Sequence, residues 1–236
     1  MIRQSKEHSD NLPKRQHSAE QNRNLSVDEI SVRSNRFSRL LELRSNCYKH
    51  ARSGLCESID NYSHHFVASC GNKIVGALRV TCHIDGELES CEAYPKWVFD
   101  EFGLTIGSAS RMCVHPDFAG RSTIPQLLTR LAWQTVLQRG IRIDVTKARL
   151  KAVPFYLRMG YVVMRDSLFQ FDRWNAKCVL IAHPADPQHP SPMSSVFNGI
   201  CDPCCLCVSE NTDLFIRDRR EAATYIRQLT GRGRAS

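Results

Sequence analysis

The chain has 236 residues, a formal net charge of +8 and 42% hydrophobic residues. That is enough apolar material for one packed domain of about 150–200 residues plus tails, and it excludes a wholly disordered chain. No apolar run approaches the roughly 20 residues of a membrane span, and Met1-Ile2-Arg3-Gln4-Ser5 lacks a secretory signal's apolar core, so a cytoplasmic protein is expected.

Residues 1–30 are polar, mixed in charge and without apolar periodicity, and read as a mobile extension. From Phe37, apolar residues at Leu40, Leu41, Leu43 and Tyr48 predict a first helix ending before Gly54. His65–Cys70 and Ile74–Val80 flank Gly71-Asn72, the pattern of a β-hairpin. Ser108–Val114 predicts a strand closed by His115-Pro116-Asp117. A helix is expected from Ser122, a suitable N-cap with Pro125 in the first turn, to Arg139, where Gly140 ends it. Its Ile124, Leu127, Leu128, Leu131, Thr135 and Val136 share one face that would pack on a sheet. Trp133 falls on the other face and needs cover, assigned here to a tail. Ile141–Val145 reads as a strand, Leu150–Arg158 as a short helix and Tyr161–Met164 as a strand.

Beyond Trp174 the composition changes, and four prolines between His183 and Pro192 are expected to break regular structure. Asp213–Gln228 predicts one charged helix, with Gly231–Ser236 frayed. The expected organisation is an extension over 1–30, a catalytic domain over 31–180, and a Pro/Cys-rich linker with a basic C-terminal helix over 181–236.

Eleven cysteines without a signal peptide read as reduced thiols. Cys201, Cys204, Cys205 and Cys207 include a Cys-x-x-Cys of metal-ligand spacing. All four lie within seven residues, whereas zinc sites pair two more distant knuckles, so no metal site is assigned. Between Arg121 and Arg158 eight basic residues stand against one acid, Asp144, a local excess of seven positive charges that attracts a polyanion or an acidic protein.

The predicted order of hairpin, strand, long helix, strand, short helix and strand resembles that of the GNAT acyltransferases. Two motifs carry the likeness: Ala152-Val153-Pro154-Phe155-Tyr156-Leu157-Arg158-Met159-Gly160-Tyr161 resembles the late GNAT signature, and Val114-His115-Pro116-Asp117-Phe118-Ala119-Gly120-Arg121 the passage into the pyrophosphate loop. The resemblance implies an α/β (α+β layered) fold, a mixed twisted central sheet flanked by helices. It implies no permanently bound cofactor but an acyl-phosphopantetheine thioester as co-substrate, cradled by Val114, Gly120, Arg121, Ser122 and Thr123 with the phosphate at the helix N-terminus. Tyr156 would serve the departing thiolate as a proton donor; read from the residues alone, it is equally a core aromatic beside Phe155.

Gly76 and Arg79, with Ser110, Arg111 and Val114, further resemble the branch of long-chain N-acyl amino acid synthases (FeeM-type) and acyl-homoserine lactone synthases. That branch carries a Glu where Ser108 stands here. The resemblance covers roughly residues 37–175 and implies catalytic positions at Tyr156, Arg111 and Ser110, with Arg79 or Arg111 binding the carboxylate of an amino acid acceptor. The alternative for the two arginines is an ion pair with Asp60 or Asp100. His64, His65 and His115 are candidate bases. The loop lacks the usual Arg/Gln-x-x-Gly-x-Gly/Ala, having Ala119, Ser122 and Ile124 instead, which suits the single phosphate of an acyl carrier protein better than coenzyme A. The expected activity is therefore long-chain acyl transfer from an acyl carrier protein to an amino acid. The alternatives are a CoA-dependent N-acetyltransferase and a non-catalytic GNAT-like module; no nucleic-acid partner is expected.

Overall fold

Residues 25–48, 56–120, 123–172, 175–184, 212–216 and 218–230 are described by the structure, a computed structural model. The hairpin is its centre. β2 (His64–Cys70) and β3 (Lys73–Cys82) pair antiparallel, with Cys70 opposite Lys73 across the Gly71-Asn72 turn. β3 is buried almost throughout because both of its faces are covered. Ile74 and Ala77 point to helix α1 (Phe37–Cys47), which packs Phe37, Leu40 and Leu43 on the sheet. Val75, Leu78 and Val80 point to the opposite layer, helix α3 (Thr123–Gln138). Gly76 sets how closely that helix lies, because a Cβ there would collide with the Ile124 side chain.

Leu25–Ile30, read from sequence as the end of a mobile extension, instead forms β1, paired antiparallel with β2 from Leu25–Cys70 to Ile30–His65. As an edge strand with one covered face, its Leu-Ser-Val-Asp-Glu-Ile holds too few apolar residues to show a period. β4 (Ile106–Val114) follows β3 in the sheet, and a short helix, α2 (Lys96–Phe102), precedes it. Beyond α3 come β5 (Ile143–Arg149), α4 (Val153–Arg158), β6 (Val162–Met164) and β7 (Phe169–Phe171).

The C-terminal third departs most from the sequence reading. β8 (Ala176–Pro184), which the sequence reading did not include, pairs antiparallel with β5 along seven residues and ends within the first two residues of the expected break, the rest of which lies outside the described residues. Its Cys178-Val179-Leu180-Ile181-Ala182 is buried on both faces, so it carries no alternation. β9 (Phe215–Ile216) pairs with β6, and α5 (Arg219–Leu229) starts at an Asp218 cap that accepts the Glu221 N–H at 2.8 Å. Among the described residues the mixed sheet thus has nine strands, in the order β1-β2-β3-β4-β5-β8-β6-β9 with β7 on β8, and it extends beyond residue 180. Trp133 is covered by this sheet rather than by a tail. Its ring lies 5.3 Å from that of His183 near the end of β8, because the buried stripe of α3 is wide enough to include Thr129, Ala132, Trp133 and Val136. Ser122, the expected helix cap, and Cys201, Cys204, Cys205 and Cys207 lie outside the described residues.

Candidate active site

β4 and β5 are neighbours and parallel, yet among the described residues they pair only at Ile106–Ile143 and Gly107–Asp144. Beyond those pairs the strands splay, and the opening between them forms a cleft. A bulge in β4 accompanies it. Between the Ala77–Cys113 and Arg79–Ser110 pairs, β4 has two residues to one on β3, and Arg111 takes a left-handed backbone with φ of 55°. A non-glycine residue in that region costs about 1–3 kcal/mol, which the surrounding contacts must offset.

Side chains bridge the narrow end of the splay. Asp144 accepts the Ala109 N–H at 2.7 Å, Thr146 donates to the Ala109 carbonyl, and Tyr94 donates to the Val145 carbonyl at 2.7 Å. The wide end is a cleft of about 190 Å³ lined by Tyr48, Ser110, Arg111, Lys147, Arg149 and Tyr156, among others. A narrow apolar slot between Leu78, Val80, Met112, Ala132 and Trp133 shares Ala109, Ser110, Met112 and Tyr156 with it and runs under α3. Cleft and slot therefore meet at Tyr156.

Tyr156 reaches this junction because α4 follows β5 directly and Pro154 lies in its first turn, where a missing N–H costs nothing. Its ring stands edge-on to Phe155 and Tyr161, with centroids 5.3 and 5.2 Å away. Among the described residues its hydroxyl has no hydrogen-bond partner. Burial, with a smaller contribution from the Asp144 charge, pushes it up to about 12, so it stays protonated at neutral pH. Asp144 sits behind it, fully enclosed and accepting a hydrogen bond from the Tyr161 hydroxyl. Burial lifts this carboxyl to about 7 against the lowering effect of its two hydrogen bonds.

The second feature is a buried ion-pair network beside the cleft. Arg79, fully enclosed, meets Glu57 at 2.9 Å, Asp60 at 3.0 Å and Glu89 at 2.8 Å, and its Nε donates to Ser110 Oγ at 3.0 Å. Asp60 also pairs with Arg44 at 3.0 Å. Glu89 pairs with Lys147 at 3.3 Å, and Arg111 with Glu57 at 2.7 Å. Burial alone would raise Glu89, but Lys147, Arg79 and Arg111 outweigh it and hold the carboxyl down to about 2. Asp60 is likewise held below the usual carboxylate range by Arg44 and Arg79 despite its burial.

These contacts correct the sequence reading at several points. Arg79 makes the expected alternative pair with Asp60; Asp100 is exposed on α2 and takes no part. The donors of Arg79 meet three carboxylates and Ser110, so it does not face an acceptor. Arg111 lines the cleft, and its buried Nε has no hydrogen-bond partner among the described residues. Neither Glu57 nor Glu89 stood out in the sequence, although Glu89 directly follows Asp85-Gly86-Glu87-Leu88. Both reach Arg79 and Arg111 from loops, while Ser108, which stands where the FeeM-type branch carries its Glu, contacts the Tyr94 hydroxyl at 3.0 Å.

None of the three candidate histidines lines the cleft. His65 is buried between Arg44 and the Asp60 carbonyl, and burial lowers it to about 4, which keeps it neutral. His64 faces Glu29 at the start of β2, and His115 accepts the Asp117 N–H in the turn after β4. In the donor loop, Val114 pairs with Gly76, and Gly120 turns the chain with φ of 81°, a region that favours glycine. Thr123 is exposed as the first residue of α3, and Arg121 and Ser122 lie outside the described residues. The basic excess is thinner at the surface than the sequence implies. Lys147 is buried on Glu89 and Arg139 pairs with Asp85, leaving Arg130, Arg142, Lys151 and Arg158 exposed.

Residues 61–163, from the hairpin through the cleft to β6, match the family model for the acetyltransferase (GNAT) domain. The chain carries a GNAT acyltransferase domain. Solved structures share the GNAT fold at low identity. FeeM, an N-acyl amino acid synthase from uncultured soil microbes, aligns with a TM-score of 0.55 at 13% identity, over 67% of this chain and 89% of its own. A CoA-dependent acyl-homoserine lactone synthase, BjaI, aligns with 0.52 at 18%, over 76% and 90%. An acyl-CoA N-acyltransferase from Pseudomonas aeruginosa aligns with 0.51 at 13%, over 67% and 98%. No curated protein matches the sequence at a significant level. Among the described residues no helix is long and apolar enough to cross a membrane.

Proposed function

We propose that this GNAT domain moves a long-chain acyl group from the pantetheine thioester of an acyl carrier protein to the amino group of an amino acid. The observation that carries this reading is the apolar slot opening off the cleft at Tyr156. An acetyl group needs no such extension. The slot has a free volume of only about 20 Å³ as it stands, room for little more than a water molecule, so admitting a chain requires its lining to open, beginning with Met112 and Met159, whose unbranched side chains have the freedom to move.

The thioester lies in the splay with its acyl group toward the slot. The neutral amine nitrogen attacks the thioester carbon, a C–N bond forms and the carbonyl oxygen takes up the negative charge. The intermediate collapses by breaking C–S. A tyrosine near 12 is a weaker acid than a thiol of about 8.5. Tyr156 thus steadies the departing thiolate chiefly by a hydrogen bond, while the proton shed by nitrogen leaves through water and the thiolate is protonated from solvent. The acceptor carboxylate is met by Arg111, which lines the cleft and whose buried Nε has no hydrogen-bond partner among the described residues.

For the donor, Ala119 and Ile124 stand where a pyrophosphate cradle has its usual residues, and Arg130, Arg142, Lys151 and Arg158 offer a basic face to an acidic carrier. Coenzyme A is the second reading. It is favoured by the retained Gly120 turn and by the CoA-linked names of two of the structural neighbours. Steady-state assays with matched acyl carrier protein and CoA thioesters separate the two. Equal or higher kcat/KM with the CoA thioester would defeat the carrier-protein reading while leaving acyl transfer itself intact.

A further inference from the structure

At the open end of the β2–β3 hairpin, away from the cleft, three side chains of different chemistry converge. The ligand atoms of His64, Cys82 and Asp85 all lie within 4.8 Å of one another. His64 opens β2, Cys82 ends β3, and Asp85 lies in the turn that follows, so the antiparallel pairing brings them together. We propose that His64, Cys82 and Asp85 form a binding site for a zinc-like divalent cation, with the fourth position left to solvent.

Three observations support it beyond the cluster itself. The first is the orientation of His64. Its Nδ1 lies 2.6 Å from Glu29 Oε1 on the neighbouring strand β1, which leaves Nε2 directed at Asp85 Oδ2, 3.5 Å away. A carboxylate on one imidazole nitrogen that turns the other toward a metal is the usual outer arrangement of histidine-ligated zinc. The second is Asp85 Oδ2 itself, buried and without a hydrogen-bond partner, while Oδ1 is occupied by Arg139. The third is access. Glu29, His64, Asp85 and Arg139 line an open hollow of about 630 Å³, so a hydrated ion can reach the site although Cys82 is enclosed.

Geometry and charge agree with a four-coordinate ion. Zinc bonds of about 2.0–2.3 Å place tetrahedral ligand atoms roughly 3.3–3.8 Å apart, so from separations within 4.8 Å the three groups need to close by no more than about 1.5 Å. With the thiolate formed, Glu29, Asp85 and Cys82 carry three negative charges against Arg139 and a dication, which sums to zero. The ion would tie β1, the hairpin and the β3–β4 connection to the C-terminal end of α3. That connection also carries Glu89 of the ion-pair network.

The test uses the full chain with Cys201, Cys204, Cys205 and Cys207 all changed to Ser, so that only described thiols can respond. Cobalt is the probe. One equivalent of Co²⁺ is expected to give a near-ultraviolet thiolate-to-metal band and tetrahedral visible bands, which excess Zn²⁺ displaces. Zn²⁺ is also expected to raise the melting temperature. Adding Cys82→Ala should abolish the thiolate band. Glu29→Gln should weaken binding roughly ten- to hundredfold without removing the band. If Cys82→Ala does not fold, His64→Gln replaces it and should lose tight binding. The absence of a cobalt–thiolate band in the four-serine protein, or a band unchanged by both Cys82→Ala and His64→Gln, would reduce the cluster to an ion-pair network of His64 with Glu29 and Asp85.

Discussion

Replacing Asp144 with Asn keeps the shape of the buried group and an oxygen for the Ala109 N–H, but removes its ability to ionise. In the folded protein this carboxyl titrates near 7, and in the unfolded chain near its ordinary 3.8. Because the folded value is raised, the group's contribution to stability is fully present below about pH 4 and is lost as pH rises through about 7. The gap of about three pH units, at about 1.36 kcal/mol each, sets an upper limit of roughly 4 kcal/mol for the cost of holding the ionised form above pH 7. Asn escapes that cost and loses about 1 kcal/mol from the altered contact with Tyr161. The variant should therefore be more stable than the parent by about 2–3 kcal/mol near pH 8 and close to equal near pH 5. Urea unfolding of both proteins at the two pH values measures this, and the difference between them cancels the other titrating groups. Parallel stability curves, or an Asn variant weaker at both pH values, would show that Asp144 is ionised at little cost and that the reasoning about its burial is wrong.

Tyr156→Phe should lower kcat about ten- to hundredfold with little change in unfolding free energy, because the hydroxyl has no protein partner to lose; full activity would remove it from the chemistry. Arg79→Met should destabilise the fold by about 1–3 kcal/mol, since Glu57, Asp60, Glu89 and Ser110 each lose a buried donor although Arg111, Arg44 and Lys147 still face the three carboxylates; a stable variant with a raised acceptor KM would restore its acceptor role. Arg111→Lys keeps the charge but loses the planar fork, and should raise the acceptor KM more than it lowers the melting temperature. Changing Arg130, Lys151 and Arg158 to Glu should raise the KM for an acyl carrier protein donor and flatten its salt dependence; an unchanged KM would place the carrier elsewhere.

The parts of the fold that sequence reveals are those with a strong period or a turn signal. The Gly71-Asn72 hairpin and the Ile124–Val136 stripe are of that kind, and the motif around Tyr156 drew attention to a side chain that lines the opening between β4 and β5. β8 was illegible because Cys178–Ala182 is covered on both faces and so lacks alternation, while the neighbouring prolines argued for a break. β1 was illegible because an edge strand needs few apolar residues. Within the site, long-range pairing decided what sequence left open. Arg79 and Arg111 looked alike as cations on adjacent strands; Glu57 and Glu89 pair with both, but Asp60 and Ser110 complete the enclosure of Arg79, while Arg111 also lines the cleft. Lys147 and Asp144 read as members of a basic surface stretch, but β5 runs through the middle of the sheet and buries both.

The central claim is that the slot beside Tyr156 receives a long acyl chain during transfer to an amine. The most direct test is mass spectrometry of products formed from a mixture of amino acids and donors ranging from acetyl to palmitoyl, with Ala132→Leu run alongside the parent. Long-chain N-acyl amino acids are expected from the parent, and a shift toward shorter acyl groups once the bulkier side chain of the variant narrows the slot. Acetylated products alone, or a chain-length profile untouched by Ala132→Leu, would contradict it.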